Sequence, residues 1–203
     1  GSWLQASSNT FPAFQIDINA HDLNLSWLRL TGFTNAVNFE MQAERCTLSD
    51  LDIEASQGYG LRISQSRSIN LDRVLIRNGQ ASAIASDGSS YSLDGCVLWS
   101  NRGSAISMER GSLGVTNSIL EAIGAGQYCY NSPTTATIRA DYNDLLIRNG
   151  AQVGNFAGQV YEKVPQWNRG TDQDRHSFGA DPLFYNSTSG DYPPQSPHGP
   201  SDP

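Results

Sequence analysis

An all-β solenoid is the fold class this sequence predicts, and three observations in its 203 residues predict it. Apolar residues recur every 22 or 23 positions, short segments alternate apolar and polar residues, and no segment sustains a 3.6-residue period with capping signals. Taken from Leu25, equivalent apolar residues stand at Leu48, Leu71, Leu93, Val115 and Ile138, in steps of 23, 23, 22, 22 and 23. A second column, three residues on, runs Leu28, Leu51, Val74, Cys96 and Ser118, and a third runs Leu30, Ile53, Ile76, Leu98 and Leu120.

Half a period away, each repeat carries an alternating pair: Phe14/Ile16, Val37/Phe39, Leu61/Ile63, Ile84/Ser86 and Ile106/Met108. Alternation with period two places both members on one face of a strand. Turn formers separate the pairs, namely Gly32 and Asn35, Gly58 and Gly60, Asn78 with Gly79, and Asn101 with Gly103. Each period is therefore two or three short strands joined by tight turns. Such a repeat buries its apolar residues when every coil stacks on the next, with backbones pairing at about 4.8 Å. A leucine-rich repeat shares the L-x-x-L-x-L spacing of residues 48–53, but it has one strand per repeat and an asparagine at a fixed later position. Here the asparagine offset drifts and the second strand pair is regular. The expectation is a right-handed parallel β-helix of about six coils over residues 14–147, between a lead-in at 1–13 and an irregular segment at 148–203 packed on its outside.

Charged residues make up 16% of the chain, with 13 Lys and Arg against 20 Asp and Glu, for a net charge of −7. That balance lacks the basic field a nucleic-acid backbone requires, so nucleic acid is excluded as a partner, while neutral or cationic partners and bound cations are favoured. No window approaches the ~18 consecutive apolar residues of a membrane span, so no membrane insertion is expected. The opening Gly-Ser-Trp reads as a cloning remnant, which makes the chain a piece of a longer parent with other domains, any export signal lying outside it.

The segments ADYND at 140–144, TDQDRHS at 171–177, GADPLF at 179–184 and GDY at 190–192, together with Trp167, give the last third its own character. In these residues it resembles the C-terminal part of bacterial right-handed parallel β-helix repeat proteins, and the coils resemble the generic repeat of the pectin-lyase-like superfamily. The closing PPQSPHGPSDP departs from that family's usual ending. The resemblance implies an architecture rather than a reaction, and a secreted or cell-surface location.

With residues 71, 74 and 76 inward, Cys46 and Cys96 fall inside, two coils apart and beyond disulfide reach. Cys129, in the longer GAGQYCYNSPTT stretch, is expected in an exposed loop. The outward column Arg29, Asp52, Leu75, Val97, Ile119 and Tyr142 becomes apolar along its length. Such a stripe calls for a cover, which the segment 150–192 would supply with Phe156, Val160, Tyr161, Val164, Trp167, Phe178, Leu183 and Phe184.

The alternating strand also presents an outward face. Its columns read Gln15, Asn38, Arg62, Ala85, Ser107 and Asp17, Glu40, Ser64, Asp87, Glu109, with carboxylates on four of five rungs of the second. An extended polysaccharide or oligosaccharide lying along this face is the leading expectation, bound by Asp17, Glu40, Asn38 and Arg62, with Trp27 available to stack on a sugar ring. A polysaccharide lyase or glycosidase is the enzymatic alternative, with Asp87 and Glu109 as the carboxylate pair and Arg62 as a contact to an acidic sugar or as the proton-abstracting base. Ca²⁺ held by Asp17 and Glu40 would relieve carboxylate repulsion. A third reading is a solvated face on a structural spacer or adhesin stalk. Asp50 and Arg73, one coil apart, are expected to form a surface ion pair, and His176 to dock the tail. His21, His176 and His198 lack metal spacing, and no nucleophile elbow or phosphate loop is present.

Overall fold

The computed structural model describes residues 2–5, 12–54, 56–99, 101–134, 136–182, 184–186 and 191–194, with side chains between 12 and 182. Three parallel sheets wind round one axis in about six turns. The first sheet stacks Phe14–Ile16, Val37–Phe39, Leu61–Ser64, Ile84–Asp87, Ile106–Met108, Tyr128–Ser132 and Gln152–Phe156, with Gln159–Tyr161 added antiparallel. The second stacks Asn24–Ser26, Glu44–Ser49, Arg67–Asp72, Ser89–Asp94, Gly111–Thr116 and Ala136–Asp141. The third stacks Ser2–Gln5, Leu28–Thr31, Asp52–Glu54, Leu75–Arg77, Val97–Trp99, Ile119–Ile123 and Asp144–Arg148.

The apolar columns are the interior. Leu25, Leu48, Leu71, Leu93 and Val115 are rung partners in the second sheet, and Leu48 to Val115 are at most 2% exposed. Each such leucine contributes roughly 1.5–3 kcal/mol by leaving water. The sixth rung differs from the sequence expectation: Val115 pairs with Ala140, and Ile138 instead follows Leu113. The coil between Val115 and Ala140 has a step of 25 residues, because two residues are added before Tyr128 and one before Ala136, so a fixed 22–23 count slips there.

The same slip misplaces Tyr142. Its expected position outside Ile119 is taken by Asp144, and Tyr142 lies at the corner between the second and third sheets. At that corner each coil bends through a single residue of positive φ: Trp27, Asp50, Arg73, Gly95, Asn117 and Tyr142, with φ between 52° and 62°. A one-residue left-handed bend turns the chain without a loop.

Cys129 is not in an exposed loop. It is fully buried, in the row Ala36, Gly60, Ala83, Ala105, Cys129 and Val153 that lines the tight corner between the third and first sheets. That corner admits only small side chains in its middle rungs: a Cβ on Gly60 would stand 2.4 Å from Ile76 Cγ2. Cys46 and Cys96 are buried as expected, and all three thiols are free.

One interior column becomes polar along its length, from Leu51 and Val74 through Cys96 to Ser118 and Asn143. The polar members cap the backbone of the preceding coil, Ser118 Oγ accepting from the Cys96 N–H at 3.1 Å and Asn143 Oδ1 from the Ser118 N–H at 3.0 Å. Buried polar groups are thereby paired.

The C-terminal segment packs against the coils, but over the open end of the solenoid rather than along the outward stripe. Its helix, Val164–Thr171, was not foreseen. It is only eight residues long, too short for a periodic signal, and starts where Gln166 Oε1 accepts the N–H groups of Glu162 and Lys163. Trp167 on this helix is fully buried, stacked on Tyr130 of the last coils and edge-on to Phe156 and Tyr161. Gly154 leaves the room: a Cβ there would lie 2.5 Å from the indole. Downstream, Asp174 accepts from Trp167 Nε1, Asn143 Nδ2 and Ser177 Oγ, and the Leu145 N–H donates to Phe178 O. The stripe of Leu75, Val97 and Ile119 packs with Trp99 and Leu146 as its own small cluster, while Val160 and Phe178 stay exposed. The Leu183 and Phe184 side chains, His198 and the closing stretch from 195 lie outside the described residues.

Candidate functional site

The first sheet's outer face carries the expected columns. Gln15, Asn38, Arg62, Ala85 and Ser107 are successive rung partners, and Asn131 and Asn155 continue the row. Asp17, Glu40, Ser64, Asp87 and Glu109 follow one residue beyond the inward Ile16, Phe39, Ile63, Ser86 and Met108. The register thus brings Asp87, Glu109 and Arg62 onto one face, where they line a depression of about 250 Å³ with Tyr59, Ser64 and Ser107.

The carboxylates are not equivalent. Asp87 receives a two-pronged ion pair from Arg110 of the next coil, at 3.0 and 2.9 Å. Hydrogen bonding by that guanidinium holds the Asp87 carboxyl below the usual carboxylate range, so Asp87 is ionised and is no proton donor. Glu40 accepts from the Gln15 amide, which accepts from Asn38 at 3.3 Å, which accepts from Asn35 at 3.0 Å. Asp17 and Glu109 are exposed. Arg62 is exposed and has no ion pair among the described residues.

Arg110 is the functional neighbour that reading columns one at a time missed, and its signal is in the sequence. An acid followed 23 residues later by arginine becomes a vertical pair: Asp22–Arg45, Asp50–Arg73, Asp87–Arg110, Glu44–Arg67 and Glu54–Arg77 all form. Arg77, only 3% exposed, joins Asp52 and Glu54 with Arg29 on the third sheet, which accounts for the polar start of that outward column.

Other expected residues are placed elsewhere. Trp27 is 67% exposed on the bend between the second and third sheets, away from the carboxylate row. Tyr91 and Trp99 are buried, so neither offers a free ring. His176 bonds Asp141 at 2.7 Å and stacks on Tyr142, which ties the tail to the last coil. Among the described residues no three of His, Cys, Asp or Glu converge to hold a metal ion. No helix among the described residues is long and apolar enough to cross a membrane.

Stacked coils, interior ladders and three parallel sheets define the chain as a β-solenoid. The family model for the right-handed β-helix region matches residues 18–158, and the chain belongs to that family. No curated protein and no solved structure matches it.

Proposed function

We propose that this domain binds an acidic polysaccharide along the outer face of the first sheet. The observation that carries the reading is Arg62, a cation without an ion pair among the described residues, set in an open depression lined also by Ala85 and Ser107. An exposed guanidinium recognises a sugar carboxylate by paired hydrogen bonds. Asn38 before the depression, and Asn131 and Asn155 on the two coils after it, place amides in the same row for the hydroxyls of a chain lying parallel to the axis. At about 250 Å³ the depression is smaller than the ~300–1,000 Å³ of enclosed small-molecule sites, and it suits one unit of a polymer passing over it. Secretion or surface display accords with such a ligand.

Binding is favoured over hydrolysis because the glycosidase pair would need Asp87 or Glu109 as an acid. Asp87 is held ionised by Arg110, and Glu109 stands in solvent. Affinity electrophoresis through gels containing a uronate polysaccharide tests the reading. The domain should be retarded, and Arg62→Ala should weaken retention about tenfold, the loss expected for a charge-assisted hydrogen bond. Unretarded migration, or retention indifferent to Arg62, removes the proposal. Release of unsaturated or reducing ends would restore the enzymatic alternative.

A further inference from the structure

The first sheet is not the largest concavity on the coils. Where the chain turns from the first sheet into the second, a groove of about 540 Å³ is lined by residues of five consecutive coils, from Asn19 and His21 to Gly111 and Ser112. Four rungs of about 4.8 Å give it a length of roughly 19 Å parallel to the axis.

Its walls have distinct chemistry. Along one wall Asn19, Gln42 and Gln65 occupy the same left-handed corner position in successive coils, at φ 63°, 67° and 43°. Their side-chain amides are exposed and make no hydrogen bond within the described protein. Along the other wall Glu44 is neutralised, its carboxylate 2.9 Å from Arg67 Nε and 3.6 Å from His21. Beyond Gln65 the amide row stops, because its next positions are Gly88, at φ 62°, and Arg110, whose guanidinium is paired with Asp87. Beside them the Ser112 hydroxyl donates to Ser90 Oγ at 2.7 Å.

We infer that this corner groove is a second glycan subsite, distinct from the Arg62 face, and that it takes an uncharged polysaccharide segment. Unpaired amides offer both donors and acceptors on three successive coils, which matches the dense hydroxyls of a sugar chain. With Glu44 and Arg67 cancelling, the lining carries no net charge to select an anion. An extended chain meets an amide at each of three coils and hydroxyls beyond them, so affinity accumulates along the groove rather than at one contact. The Asp87–Arg110 pair stands between the groove and the Arg62 depression, which keeps the two subsites separate.

The row itself supplies the test. Gly88→Asn adds to the groove floor a side chain that the same position carries at Asn19, in a conformation asparagine tolerates, so the coil keeps its fold. A Cβ added at Gly88 meets only Gln65, with its Cγ at 3.4 Å and its Cα at 4.0 Å. Wild type, Gly88→Asn and Arg62→Ala are compared by affinity electrophoresis in gels of an uncharged β-glucan, an uncharged galactomannan and a uronate polysaccharide. The expected result is retention by at least one uncharged polymer, lost tenfold or more in Gly88→Asn and kept in Arg62→Ala. Absence of retention by both uncharged polymers overturns the inference, and so does retention that Gly88→Asn leaves unchanged. The uronate gel reports the Arg62 face independently, so failure of one subsite is read apart from failure of the other.

Discussion

Replacing Trp167 by alanine should open the solenoid from one end only. The indole is fully buried, its ring centroid 5.1 Å from that of Tyr130, 5.5 Å from Tyr161 and 6.1 Å from Phe156. Truncating a buried tryptophan to alanine costs roughly 3–5 kcal/mol. The indole N–H also donates at 2.9 Å to Asp174, a buried carboxylate, and losing that donor adds about 1–3 kcal/mol. Trp167→Phe keeps most of the ring and isolates the second contribution. Since coils contact only their neighbours, the loss should stay near the plug. Amide hydrogen exchange reads this directly. The N–H groups of Ala140, Asn143 and Leu145, which bond to Gln173, Ser177 and Phe178, should exchange about a thousandfold faster in Trp167→Ala, the equivalent of roughly 4 kcal/mol. Those of Ile63 and Leu71, several coils away, should be unchanged. Uniform acceleration along the chain, or less than tenfold at Leu145, would falsify the picture of a local plug.

Two further outcomes follow from the ion pairs and the thiols. Arginine partners lower the carboxyls of Asp22, Asp50 and Asp87, so these groups stabilise the fold above the ordinary aspartate range near ~3.9 and lose that contribution as pH falls through their depressed folded values. Melting temperature measured from pH 7 down to about 2 should fall in that acid window, and Arg110→Ala should move the Asp87 titration, followed by carboxyl NMR shifts, back up toward the ordinary range. Burial pushes the Cys96 thiol up to about 12 and Cys129 higher still, so neither forms thiolate at neutral pH. An aromatic disulfide reagent should label neither in the native protein and both in denaturant; rapid native labelling of Cys129 would contradict its corner position.

The architecture was readable because the interior columns repeat at the coil length, and the chain kept that length from Leu25 to Val115. Where the coil lengthened, counting failed, and Ile138 and Tyr142 were put in the wrong columns. Cys129 was misread for a related reason: the row of small residues at Ala36, Gly60, Ala83 and Ala105 marked a cramped corner, but the longer coil hid its next member. The plug was legible only as a cluster of aromatic residues, since a segment without a repeat carries no register. On the first sheet's face the outward residues were found, but their electrostatics were not. Asp87 appeared as a free acid because Arg110 sits outside its column, although the 23-residue offset that joins Asp50 to Arg73 joins this pair as well.

The bend at Trp27, Asp50, Arg73, Gly95, Asn117 and Tyr142 also divides the edges of the molecule by how freely they can grow. One residue completes the turn, so an inserted residue there would invert the facing of the strand that follows. Lengthening is absorbed elsewhere, as in the 25-residue coil, whose extra residues fall on the other two edges. The bend is left as an unbranched spine of constant pitch, along which substituents as different as an indole, a guanidinium and a bare glycine are interchangeable without disturbing the winding.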